Sequence, residues 1–275
     1  MNNQIQPCCL TIAGSDSGGN AGVQADLRAF HSYGLHGCTV FAALTAQNPF
    51  AVTAIHSVPA DFVAAQLDAV LGVYTIRALK TGMLADAAVI HTIATRLAAH
   101  REIAKVIDPV MIATSGAHLI QDDAIDALTK ELLPLATVMT PNLPEAEFLC
   151  GKTAAVENDS REGTVEHAKE LAKELHARFG CAVIVKGGHG GETAAVDVLY
   201  DGQSFKEYSL PWVAHPISTH GTGCSFAAAL AAELAQGRNI GAAVLGAKAY
   251  VHAAIEAAQW VGPNCGVLGF VPRQI

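Results

Sequence analysis

Residues 218–237 read S-T-H-G-T-G-C-S-F-A-A-A-L-A-A-E-L-A-Q-G. Gly221, Thr222 and Gly223 stand directly before an alanine-rich run of high helix propensity, which predicts bare backbone N–H groups at a helix N-terminus. Such a terminus carries partial positive charge, and glycine lets an anion approach the backbone closely, so the chemistry these residues suit is phosphate binding. Cys224 falls inside that field. A free thiol is only about 3% thiolate at pH 7, and a helix N-terminus is expected to lower its pKa enough to make a base or a nucleophile. The plainer role of a lone cysteine there is a small buried hydrophobe.

The elements that must position this turn follow from periodicity. Residues 9–13 form a short apolar run, 14–20 a glycine-rich loop and 21–33 a helical pattern, the opening of a βα unit. Strands are then expected over 38–45, 78–80, 105–107, 137–139 and 181–185, and helices over 61–71, 85–98, 122–133, 144–149 and 164–179. That alternation predicts an α/β fold with a mostly parallel central sheet and helices on both faces. Residues 196–210 depart from it, because alternation around Asp201-Gly202 predicts an antiparallel hairpin at a sheet edge. The glycine-led helix and another over 241–258 close what reads as one domain over 1–275, with the polar segment 152–163 as a mobile loop.

Polar residues gather where the strands end: Asp16, Gln47, Asp108, Asn142 with Glu145, and Lys186. In an open parallel sheet, ligands bind beyond the carboxyl ends of the strands. Each residue also has a plainer role: Asp16 can fix its turn, Gln47 can cap a strand, Asn142 can cap its helix, and Lys186 can be a solvated loop lysine.

Composition narrows the classes. The 275 residues are 51% hydrophobic, enough for a sizeable core. A formal net charge of −8 with no Lys/Arg cluster argues against a nucleic-acid footprint. Charges interrupt every apolar run before membrane-spanning length, and residues 1–7 do not read as a signal peptide. Seven cysteines without C-x-x-C spacing fit a reduced cytoplasm rather than a disulfide framework or a zinc site.

Seven motifs occur in order: A-G-S-D-S-G-G-N-A-G-V-Q-A-D at 13–26, T-A-Q-N at 45–48, K-T-G-M-L at 80–84, D-P-V-M at 108–111, T-P-N-L-P-E-A at 140–146, K-G-G-H at 186–189 and H-G-T-G-C at 220–224. On these the chain resembles, over nearly its whole length, the hydroxymethylpyrimidine and phosphomethylpyrimidine kinases of thiamine biosynthesis, within the ribokinase-like superfamily. The resemblance implies an ATP-dependent kinase that phosphorylates 4-amino-5-hydroxymethyl-2-methylpyrimidine and then its monophosphate. It implies Mg²⁺ and a homodimer, and leaves a monovalent cation open.

By the same resemblance Gln47 would hydrogen-bond the aminopyrimidine, with Gly14, Asp26 and the backbone of Thr45 nearby and Met83 and Val110 packing the ring. A primary amide offers both the donor and the acceptor that an amino group beside a ring nitrogen needs. Lys186 and Thr222 would meet the nucleotide phosphates together with Asn142 and Asp108. Asn142 and Glu145 match the superfamily's N-x-x-E, which orders magnesium and its waters, and Asp108 is a further candidate for the cation. Cys224 stands where sugar kinases of the superfamily carry an aspartate base, and the N–H groups of Gly221, Gly223 and Cys224 would steady the migrating phosphoryl group.

The chain departs from the pattern at two places. Asn20 stands where many members have glycine, and Gly262-Pro263-Asn264-Cys265-Gly266 lacks the histidine often found after Gly-Pro. The nearest rival reading is a pyridoxal or pyridoxine kinase of the same fold. From other classes come a hydrolase with Cys224 as nucleophile and His220 or His189 as base, and a vitamin-binding protein without turnover.

Overall fold

The computed structural model describes residues 6–111, 122–152, 161–187 and 194–272. The chain opens with β1 (Cys8–Asp16), α1 (Gly22–Ser32), β2 (His36–Asn48), β3 (Ala51–Ser57), α2 (Ala60–Leu71), β4 (Ile76–Thr81) and α3 (Ala87–Leu97). It continues through β5 (Ala104–Ile107), α4 (Asp122–Ala127), β6 (Val138–Met139), α5 (Leu143–Leu149), α6 (Arg161–Phe179) and β7 (Ala182–Val185). Then follow β8 (Ala194–Tyr200), β9 (Phe205–Pro211), α7 (Thr222–Ala235), α8 (Ile240–Glu256), β10 (Gln259–Gly262) and β11 (Cys265–Val267).

Nine strands make one sheet in the order β3-β2-β1-β4-β5-β6-β7-β8-β9. Every pairing from β2 to β7 is parallel, and both edges are antiparallel. The central strands read as continuous apolar runs, as in the wholly buried A-V-I-V of β7, because helices cover both faces. Leu10, Ile12 and Val40 pack under α2 and α3 on one face, with α4, α5 and α6 continuing that layer. Cys9, Ala78, Val106 and Ile184 pack under α1, α7 and α8 on the other. The alanines of α7 are what allow it to lie buried along most of its length.

Two features differ from the sequence reading. β2 runs on to Asn48 and returns as β3, an edge strand whose last five residues are exposed, so no half-buried alternation marks it. A register shift between Ala46 and Gln47 accompanies this hairpin, and such shifts re-aim side chains. Residues 122–133 are not one helix: α4 widens into a π turn at Leu128–Leu132 and tightens to 3-10 at Leu133–Leu135, where Pro134 has no N–H to give. The tail forms the hairpin β10–β11 and docks without the absent histidine, through a 2.9 Å bond from Gly269 N–H to the Ala254 carbonyl.

The hairpin around Asp201-Gly202 is β8–β9, as its alternation predicts. Of the segment 152–163, residues 153–160 lie outside the described ones, as do Gly188 and His189. No described helix is long and apolar enough to cross a membrane.

Candidate active site

The carboxyl ends of β1, β4, β5, β6 and β7 lie side by side, and all but β4 hand over a polar residue. At the end of β1, Asp16 pairs in register with Thr45 of β2. Its carboxylate accepts from the N–H groups of Gly18, Asn20 and Ala21 at 2.8 to 2.9 Å, so Asp16 does fix its turn. Burial alone would raise its pKa, but the adjacent His220 ring and those N–H groups hold it below the ordinary value.

Beyond β5, Asp108 accepts from Lys186 Nζ and from Thr140 Oγ1, both at 2.8 Å. Lys186 follows β7, and its own N–H bonds the Pro141 carbonyl at 2.9 Å. Burial would lower the Lys186 pKa, but the carboxylates of Asp108 and Glu145 raise it, so the side chain stays charged. Asn142 and Glu145 form a reciprocal capping box on α5, each side chain accepting the other's backbone N–H at 2.8 Å. Glu145 is 7% exposed. Burial pushes its pKa up to about 7, with Lys186 opposing and Asp108 adding to the rise.

Two carboxylates thus share one lysine, a local excess of negative charge. That donor set suits magnesium, which takes one or two carboxylates and otherwise keeps waters and phosphate oxygens. Asp108 and Glu145 are the residues that could hold it. No cluster of three or more His, Cys, Asp or Glu makes an all-protein metal site among the described residues.

Gly221 caps α7 at φ 86°, and a Cβ there would lie 1.9 Å from the Asn20 carbonyl oxygen. Only glycine permits that approach. Cys224 is the third residue of α7 and half-buried, its open side being cavity wall. The expected lowering of its pKa is overturned: burial pushes the thiol up, and the nearby Lys80 charge and a backbone bond from Gly22 only partly offset this. Loss of water outweighs the influences that favour the thiolate.

Gly14, Thr45, Gln47, Met83 and Val110 line one end of a cavity of about 440 Å³. Asp108, Asn142, Glu145, Lys186 and residues 221–224 line its middle. Gln47 Oε1 accepts from Thr45 Oγ1 at 3.1 Å. Asp26 is the exception. It lies outside the wall, fully buried, with its carboxylate on Thr11 Oγ1 at 2.6 Å and on Lys80 Nζ at 2.9 Å. This pair acts from beneath the cavity floor, because a carboxylate so enclosed has no open face for a ligand.

Sequence reasoning missed the far end. Leu210, Trp212, Asp197 and Lys248 line it, and Lys248 Nζ meets Asp197 Oδ2 at 2.7 Å. Asp197 also accepts the Gly187 N–H at 3.0 Å, beside Lys186. The available signals were a charge inside the apolar strand V-D-V-L and a lone lysine in an alanine-rich helix.

A ribokinase-like sheet that delivers a lysine, two carboxylates and a glycine-led helix start to one cavity defines a small-molecule kinase. The description of the phosphomethylpyrimidine kinase family matches residues 16–268. The hydroxymethylpyrimidine/phosphomethylpyrimidine kinase of Rhizobium meliloti is 46% identical over 255 residues, 90% of each chain. The thiamine biosynthesis bifunctional protein ThiED of Geobacter sulfurreducens is 44% identical over 95% of this chain, which spans about half (52%) of that longer relative. Among solved structures, the pyridoxal kinase of Bacillus subtilis in its ADP complex superposes with a TM-score of 0.86 at 34% identity, covering 97% of this chain and 98% of its own. The chain belongs to the phosphomethylpyrimidine kinase family.

Proposed function

We propose that the chain, working as one domain, transfers the γ-phosphoryl group of ATP to 4-amino-5-hydroxymethyl-2-methylpyrimidine and then to the resulting monophosphate, for thiamine biosynthesis. The observation that carries this is the continuity of one cavity from the Gln47 amide, past Met83 and Val110, to Lys186 and the start of α7. Gln47 orients the aminopyrimidine, and Met83 and Val110 sandwich its ring. Lys186 draws the migrating phosphoryl group while the N–H groups of Gly221, Gly223 and Cys224 receive its charge. Thr222 and Asn142 hold phosphate oxygens of the nucleotide. In the first transfer Cys224 Sγ takes the hydroxymethyl proton. Burial makes its thiolate scarcer and also a stronger base. Asp108 and Glu145 would hold Mg²⁺, which would neutralise part of the phosphate charge.

Phosphorylation of pyridoxine is the second reading, favoured by the 0.86 superposition on a pyridoxal kinase. The higher identity to the pyrimidine kinases, 46% against 34%, favours the first. A cytoplasmic location accords with seven free cysteines. A homodimer accords with Leu44, Phe50 and Ile55 exposed at the β2–β3 edge.

A coupled assay with Mg-ATP tests the proposal, offering hydroxymethylpyrimidine, its monophosphate and pyridoxine separately. Turnover of both pyrimidines with pyridoxine slow is the expected result. Pyridoxine alone turning over would move the protein to vitamin B6 salvage.

A further inference from the structure

Nearly every basic side chain in the cavity wall is already matched. Lys186 Nζ sits on Asp108 at 2.8 Å, Lys248 Nζ on Asp197 at 2.7 Å, and His252 Nε2 lies 3.1 Å from the Pro211 carbonyl. Lys80, below the floor, is locked to Asp26. His220 differs. Both its ring nitrogens are buried, and neither has a hydrogen-bond partner among the described residues. The Asp16 carboxylate oxygen Oδ2 is 3.8 Å from Nε2, too long for a hydrogen bond, and that carboxylate already takes three backbone N–H groups.

Buried polar atoms without partners are rare in folded proteins and call for a physical reason. This one has a position that suggests the reason. His220 is in the cavity wall, between Asp16 at the pyrimidine end and Gly221 at the cap of α7. An acceptor whose ring lies against Gln47 and whose reacting group points at α7 would carry that group past His220.

We infer that His220 contacts the substrate of the second phosphorylation, donating a ring N–H to the phosphate of the monophosphate acceptor. The inference rests on the two-step reading above. The first acceptor is a neutral alcohol and brings no charge. The second brings a phosphate monoester, about −1.5 to −2 at pH 7, into a wall that already holds Asp16, Asp108 and Glu145. It therefore needs a donor not already spent in a hydrogen bond, and imidazole supplies one in either tautomer or as the cation. In this step an acceptor phosphate oxygen attacks the γ-phosphorus of ATP, a new P–O bond forms, and the bond to the ADP oxygen breaks. No proton need be removed, and His220 ends unchanged.

The experiment compares wild type, His220→Leu and His220→Lys, each given hydroxymethylpyrimidine or its monophosphate separately with Mg-ATP. In His220→Leu, which has no donor, the KM for the monophosphate should rise about 10- to 100-fold, the loss of one hydrogen bond to a charged group. Its kcat/KM for hydroxymethylpyrimidine should stay within about 3-fold of wild type, which also shows that the variant folds. His220→Lys should recover most of the monophosphate kcat/KM, since a point charge serves a phosphate. Equal losses on both acceptors, or an unchanged monophosphate KM, would overturn the inference. A wild type inactive on both pyrimidines would instead overturn the two-step reading itself.

Discussion

Cys224 lies under two opposed influences: the protein around it strips water and disfavours the thiolate, while the Lys80 charge and a backbone bond from Gly22 favour it. Its use should therefore depend on what the acceptor needs. An alcohol must lose a proton as it attacks, whereas a phosphate monoester is already an oxyanion. Cys224→Ala is expected to lower kcat on hydroxymethylpyrimidine about 100-fold or more, the scale of general-base catalysis, and to change kcat on the monophosphate much less. Equal losses in the two single-acceptor assays would make the cysteine electrostatic or structural. At this scale the sequence was informative wherever a polar residue stood at a strand end, and two of the plainer roles proved real alongside cavity placement: Asp16 fixes its turn and Asn142 caps α5 while both line the cavity, whereas Lys186 is not a solvated loop lysine but sits on Asp108. The ion pairs were not legible. Asp26 finds Lys80 54 residues away and Asp197 finds Lys248 51 residues away, and no local pattern encodes a partner at that distance.

Elements aim the side chains, and the segment after β7 shows how. Lys186 is fastened to the end of β6 by its N–H on the Pro141 carbonyl, and Gly187 to β8 by its N–H on Asp197. The two chains come so close that a Cβ on Gly187 would lie 1.7 Å from the Val196 carbonyl oxygen. Asp197 therefore has two tasks, balancing Lys248 and holding the backbone next to Lys186. Two substitutions separate them, since asparagine keeps an acceptor for Gly187 and alanine does not. Both Asp197→Asn and Asp197→Ala leave the Lys248 charge buried without its partner and should cost about 3–5 kcal/mol of stability in thermal or urea unfolding. Only the alanine variant should also loosen Lys186, raising the KM for ATP about 10-fold over the asparagine variant. Matching KM values would leave Asp197 with the charge balance alone. The parallel strands were readable as elements because burial on both faces forces unbroken apolar runs. β3 was not, because an exposed edge strand needs no such run, and the π turn after α4 arises from packing and Pro134 rather than from periodicity.

The whole molecule sets a scaffold that two vitamin kinases share. A pyridoxal kinase superposes with a TM-score of 0.86, so the sheet and its helices alone do not choose the acceptor, and on the function proposed above that choice falls to side chains such as Gln47 in the cavity wall. The scaffold does bear a cost common to any such site, which is holding like charges together while ligands are away. Glu145 is the clearest case. Its folded pKa of about 7 lies above the ordinary 4.5, so between those values the native state binds more protons than the unfolded chain. Stability from this group is complete below pH 4.5 and is lost as pH rises through about 7, on the order of 3 kcal/mol in all. Glu145→Gln keeps a side chain able to complete the capping box and removes the charge. Thermal unfolding of the ligand-free protein at intervals from pH 5 to pH 8 should show wild type losing several degrees relative to Glu145→Gln as pH rises. The variant should be the more stable of the two at pH 8 and far less active with Mg-ATP. Parallel pH profiles would mean that Lys186 and water together keep Glu145 an ordinary carboxylate, and that its crowding against Asp108 costs the fold nothing.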